Sequence, residues 1–123
     1  MTARIISAIE NPHVDIIAHP TGRILGKRDP YDLDIEAVMD ACKETGTILE
    51  INANPKRLDL KDIHARYAKK KGVKIAISTD AHDTSQMELM HFGIATARRG
   101  WLEMQDVVNT KSLDELLGIF LKE

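Results

Sequence analysis

The chain has one cysteine among its 123 residues, Cys42, so an internal disulfide framework is excluded and a reducing, cytoplasmic setting is expected. It also lacks an excess of either charge. Seventeen Lys and Arg against nineteen Asp and Glu leave a formal net charge of −2. No global basic field therefore draws the protein onto nucleic acid or an anionic membrane, and any such contact must come from a local patch. No apolar run approaches the roughly 20 residues of a membrane span. The polar start Met1-Thr2-Ala3-Arg4 has no long apolar segment of a signal peptide. A soluble, intracellular protein without a membrane partner is expected. Repeats, low-complexity segments, a glycine-rich phosphate loop, a nucleophile elbow and a cysteine cluster are all missing, which removes several enzyme classes at once.

What remains has the composition of an ordinary globular chain, 43% apolar and 29% charged. Its length suits a single domain, 1–123, burying about two-thirds of its unfolded surface. Three apolar runs read as strands, at about 14–18, 47–51 and 73–79. Between them the pattern is helical. Thr2 is placed to cap a helix ending at Asn11-Pro12. Asp34 caps a second to about Thr45, with Ile35, Val38, Met39 and Cys42 on one face and Gly46 after it. Asp59 is expected to begin a third, ending in Lys69-Lys70-Lys71-Gly72. A fourth spans about 85–99 and stops at Gly100, with Met87, Met90 and Phe92 as a core stripe and Trp101 closing one edge of the core. Ser112-Leu113-Asp114-Glu115 opens a fifth with a capping box. Strands alternating with helices call for parallel pairing in an α/β fold. Three strands at this length make a complete barrel impossible and part of one possible.

Each strand ends on a polar side chain. The first finishes at His19, the second at Asn52, and the third at Asp80 with His82 two residues on. Because the carboxyl ends of parallel strands open on one rim, these residues are the candidates for a site. Asp80 and His82, joined by His19, are a reasonable ligand set for zinc or manganese; Asp-x-His is also common as a turn aspartate beside a surface histidine. Ser78 and Thr79 are placed to hold the carboxylate. In the long loop from His19 to Leu33, Arg23, Lys27 and Arg28 suit phosphate, or form a solvated basic loop balanced by Asp29, Asp32 and Asp34. Asn52, Asn54, Lys56 and Arg57 offer hydrogen bonds to a phosphate or sugar, or simply make a turn. Glu50 faces the barrel interior and is not assigned as a ligand. His13, before its strand, belongs to the opposite rim. His64 and His91 read as surface or internally satisfied histidines, and Lys69 to Lys71 as partners of a helix dipole.

Three segments, Asp15-Ile-Ile-Ala-His-Pro-Thr-Gly-Arg23, Glu50-Ile-Asn-Ala-Asn-Pro-Lys-Arg-Leu-Asp59 and Ile77-Ser-Thr-Asp-Ala-His82, together resemble the C-terminal half of the PHP (polymerase and histidinol phosphatase) domain of family X DNA polymerases. The likeness runs from about Asn11 to the chain end and includes Ala95-Thr-Ala-Arg-Arg-Gly-Trp101. It implies part of a distorted seven-stranded β/α barrel with a trinuclear metal site. It also implies phosphoester hydrolysis, as 3′–5′ exonuclease and 3′-end processing of DNA in repair, with manganese or zinc as cofactor. On that resemblance His19, Asp80 and His82 are metal ligands and catalytic residues, and Arg23, Asn52 and Arg57 bind substrate. The family's His-x-His motif and bridging glutamate are absent. A truncated domain is therefore expected, carrying half a site, inactive alone, weak in metal binding and self-associating through opened barrel edges. The competing expectations are a non-catalytic assembly or DNA-docking module and a small-metabolite phosphatase.

Overall fold

The computed structural model describes residues 1–121. Its elements in chain order are α1 (Thr2–Glu10), β1 (Ile16–Ile17), α2 (Ile35–Thr45), β2 (Ile48–Asn52), α3 (Asp62–Lys71), β3 (Ile75–Ser78), α4 (Met90–Arg99) and α5 (Leu113–Phe120). Short 3₁₀ segments lie at Thr84–Leu89, Met104–Asp106 and Val108–Thr110. The strands form one sheet in the order β1-β2-β3, and both pairings are parallel. The result is α/β, as alternation of strand and helix signals requires.

Register sorts the strand residues into two faces, because partners across a ladder point the same way. Leu49 pairs with Ile75 and Ile51 with Ile77. These four join Ile9 of α1, Val38, Met39 and Cys42 of α2, Ala65 and Ala68 of α3 and Ala97 of α4 in a single apolar cluster. All four helices thus pack toward one face. The other face carries Ile16, Ile48, Glu50, Asn52, Ala76 and Ser78, and Ile16 at its edge is 39% exposed. It turns polar toward the carboxyl ends of the strands.

Two glycines bring α4 close to its neighbours. A Cβ on Gly93 would stand 2.5 Å from Ile77 Cγ2 and 2.8 Å from Ala53 Cβ; one on Gly100 would stand 2.9 Å from Asp62 O. The outer edge of β3 is closed by a side chain. Ile77 N–H donates to Asn109 Oδ1 and Asn109 Nδ2 donates to Ile77 O, both at 2.8 Å. Ile75 also bridges Val107 in parallel. The amide of Asn109 thus fills the place of a further strand.

Several expectations are corrected. The first strand keeps only Ile16 and Ile17 of 14–18, because Val14 is drawn into a turn by Asn11 O and the chain leaves the sheet at His19 with φ 29. The third is shorter than 73–79, and the second runs on to Asn52. Thr2 lies inside α1 instead of capping it, and its Oγ1 accepts from Asp34 N–H. The third helix starts at Asp62, not Asp59, because Asp59 is wholly buried in another role. Residues Thr84–Leu89 are 3₁₀ and not α, so Met87 rotates off the core side and is 64% exposed; Phe92 and Trp101 are also exposed. Trp101, at φ 64, lies outside the core under the Arg66 guanidinium, 3.8 Å from its ring centre. Asp34, Gly46, Gly72 and the Ser112–Glu115 capping box terminate their helices as expected. Among the described residues no helix is long and apolar enough to cross a membrane.

Candidate functional site

His19, Asn52 and Asp80 follow or end three adjacent parallel strands, so the fold brings them to one rim, with His82 beside Asp80. Two buried carboxylates organise that rim. Glu50 projects from the polar face of β2 with 9% of its surface exposed. Its Oε1 accepts from His19 N–H at 2.8 Å, and its Oε2 accepts from the Ser78 hydroxyl. One carboxylate therefore ties the end of β1 to the end of β3 across the middle strand. Ser78 was expected to hold Asp80; it holds Glu50 instead. Asn52 takes the other part, donating from Nδ2 to Asp80 Oδ2 at 3.2 Å.

Asp59, fully buried, is the second organiser. It accepts from Thr21 N–H at 3.1 and 3.2 Å and from Gly22 N–H at 2.9 Å. Those two residues follow His19-Pro20, so Asp59 fixes the loop that carries His19. Bonds from backbone N–H to an ionised carboxylate are among the stronger ones. The two rim loops are also joined by Arg23. Its Nε donates to Arg57 O at 2.9 Å and its Nη2 to Leu58 O, while Arg57 Nη1 returns to Arg23 O at 3.4 Å. Both arginines expected to bind substrate therefore lie at the seam between the loops, partly engaged with backbone carbonyls.

His19 and Asp80 both adopt positive φ, 29 and 54. Such backbone costs of order 1 kcal/mol or more for a residue with a side chain, and persists where surrounding structure enforces it. Here the enforcing contacts are Glu50 behind His19 and Asn52 behind Asp80. His82 is exposed, its Nδ1 2.7 Å from Asp80 O. That bond leaves Nε2 outward, an arrangement common for a ligating imidazole. Beside it, the Ser85 hydroxyl, aided by Gln86 N–H, holds the Asp83 carboxyl below its ordinary value. These donors do not fit a metal unaided. Among the described residues no three His, Cys, Asp or Glu side chains gather into a group able to hold an ion, whereas a zinc site takes three or four protein ligands.

The sequence reading gives the two carboxylates that build this rim, Glu50 and Asp59, no part in the site. Glu50 had a signal, as a lone acid between Leu49 and Ile51 in a strand. Asp59 had none, because its partners lie 37 and 38 residues away. His64, expected on the surface or internally satisfied, is half-buried with Nδ1 unpartnered among the described residues.

No protein-family model matches the chain. It is 45% identical over 119 residues to the DNA polymerase/3′–5′ exonuclease PolX of Bacillus subtilis, an alignment covering 97% of this chain and 21% of that protein. It is 36% identical over 115 residues to a probable phosphatase of Thermoanaerobacter sp., covering 89% of this chain and 44% of the relative. A probable phosphatase of Caldanaerobacter subterraneus is 42% identical over 87 residues, 66% of this chain and 32% of its own length. The chain thus spans about a fifth of the polymerase and less than half of each phosphatase.

Proposed function

Because the chain matches a segment of a family X DNA polymerase/3′–5′ exonuclease over nearly all its length, we propose that it is the C-terminal portion of a PHP-type phosphoesterase domain that processes DNA 3′ ends in repair. The observation that carries this is the pair of relatives sharing one segment. An exonuclease and a phosphatase differ in substrate, and what they have in common is hydrolysis of a phosphoester. The fold supports it, since sequential parallel strands with α1 to α4 packed toward one face are what an arc of a β/α barrel looks like. The polar face of Glu50, Asn52 and Ser78 would then be barrel interior.

In this reading His19, Asp80 and His82 are donors to divalent metal, manganese or zinc, completed by ligands from outside this chain. Glu50 and Asn52 orient His19 and Asp80, and Arg23, Asn52 and Arg57 face the substrate phosphate. DNA is the partner, the cytoplasm the setting, and the isolated chain is inactive.

Replacing the aligned segment of the Bacillus subtilis protein with this chain tests the reading. The chimera is expected to remove 3′ nucleotides from single-stranded DNA with manganese. Asn52→Ala should cost about 10–100-fold as the loss of an orienting bond, and Asp80→Asn at least as much. A folded chimera without this activity, or an undiminished Asp80→Asn variant, overturns it. The match to probable phosphatases favours a second reading, a small-metabolite phosphatase; it predicts hydrolysis of sugar phosphates with no preference for DNA.

A further inference from the structure

The loop of residues 23–30 encloses a depression of about 440 Å³ beside the rim, whose charged lining is Arg23, Lys27 and Arg28 with one acid, Asp29. The loop is a fixed hairpin. Ile24 and Arg28 exchange backbone bonds of 2.9 and 2.8 Å around Gly26, and Leu25 N–H donates to Lys56 O at 2.7 Å. Both guanidinium groups are anchored through Nε, Arg23 on Arg57 O and Arg28 on Gly22 O at 2.8 Å. Each keeps further N–H groups beyond its anchor. The Arg28 guanidinium also lies 5.7 Å from the Tyr31 ring centre.

If this were a basic loop neutralised by its own acids, Asp29, Asp32 or Asp34 would pair with those cations. Among the described residues none does. The ion pairs there involve Lys69, Lys71 and Arg99, and Asp34 is engaged in capping α2. Three cations without an ion-pair partner against one acid, Asp29, two of the cations held through their guanidinium Nε, make a local positive field on a chain of net charge −2. Planar guanidinium forks match phosphate oxygens, and anchoring lowers the entropy lost on binding.

We infer that this depression beside the rim is a phosphate-binding site in which Lys27 and Arg28 join Arg23, the arginine that also faces the substrate in the reading above. It accepts either a phosphodiester of a nucleic-acid strand or the phosphate of a small molecule. The inference rests on the phosphoesterase reading for the identity of the phosphate, not for the existence of the site.

Titrating the chain with inorganic phosphate and, separately, with a single-stranded oligothymidylate, followed by amide NMR, tests it. Shifts should concentrate at residues 22–28 with both ligands. Lys27→Gln should lower the slope of log affinity against log salt for the oligonucleotide by about 0.7, one phosphate contact. Lys70→Gln, the same charge change on the far part of α3, should leave that slope unaltered. Arg28→Gln should weaken binding too, but Arg28 also holds Gly22, so Lys27, whose side chain makes no bond in the loop, decides the matter. Tighter binding of the oligonucleotide identifies a strand as the ligand; equal or tighter binding of free phosphate identifies a small molecule. Shifts absent from 22–28 with both ligands, or an equal effect of Lys70→Gln, overturn the site. Phosphate binding here with a chimera inert on DNA would uphold the site and overturn the DNA 3′-end-processing reading.

Discussion

Asp59 has no exposed surface, yet it serves the N–H groups of Thr21 and Gly22. Asp59→Ala would leave those donors buried and unpaired, so stability should fall by about 2–3 kcal/mol. Urea unfolding should show this as a lower midpoint at unchanged slope, and Asp59→Asn, which keeps one acceptor oxygen, should lose less. His64 gives a pH signature. Burial first, then the Lys61 charge, holds its imidazole below the ordinary 6.5. With a depressed folded value, the unfolded chain binds the proton first as pH falls. Stability is therefore full above about 6.5 and declines below it. His64→Gln should flatten that decline in unfolding curves taken across the range. Asp106 acts at lower pH. Burial pushes its carboxyl up, but Glu103 N–H and the Lys69 ammonium outweigh that and hold it below its ordinary 3.8. At this scale His19, Asn52, Asp80 and His82 were legible because position after a strand is written locally. Asp59 was not, because an aspartate two residues before Lys61-Asp62 looks like a helix start until the distant loop is in place.

Elements with their own terminators could be read directly. In α2 a capping aspartate, an apolar stripe and a closing glycine in left-handed conformation all lie within the segment. β1 could not, because nothing in Val14-Asp15-Ile16-Ile17-Ala18 shows that His19 must turn out of the sheet. The start of α4 was misread for a related reason. Asp83 caps a 3₁₀ turn through Gln86 N–H, shifting the helical phase and taking Met87 out of the core. The β3 edge allows a direct test. Asn109→Ala would strip Ile77 of both its outer partners, so stability should drop by about 1–3 kcal/mol, and thioflavin binding on mild heating should rise as the edge becomes available. Gly93→Ala should cost a similar amount by pushing α4 off Ile77 and Ala53.

The whole molecule is asymmetric. One sheet edge is closed by Asn109 and Val107; the other, β1, is two residues long, and one of the two, Ile16, is 39% exposed. Short edge strands limit unwanted pairing, but an apolar edge still recruits another chain. Sedimentation velocity should therefore show association that grows with concentration, and Ile16→Lys should reduce it; a monomer at every concentration would count against pairing through β1. Parallel pairing of the strands was legible from alternation alone. That α1 to α4 would pack toward one face was not, since alternation fits helices on either side.

The lacing of residues 19–28 to 54–60 also bears on how the protein withstands cleavage. Lys27 and Arg28 present trypsin with exposed bonds at the hairpin tip. On the upstream side of such a nick, Thr21, Gly22 and Arg23 stay fastened to Arg57, Leu58 and Asp59. After a cut at Lys27, Arg28 on the downstream piece also stays fastened to Gly22 O. A chain severed there would separate into two pieces on a denaturing gel while still migrating as one body in its native state.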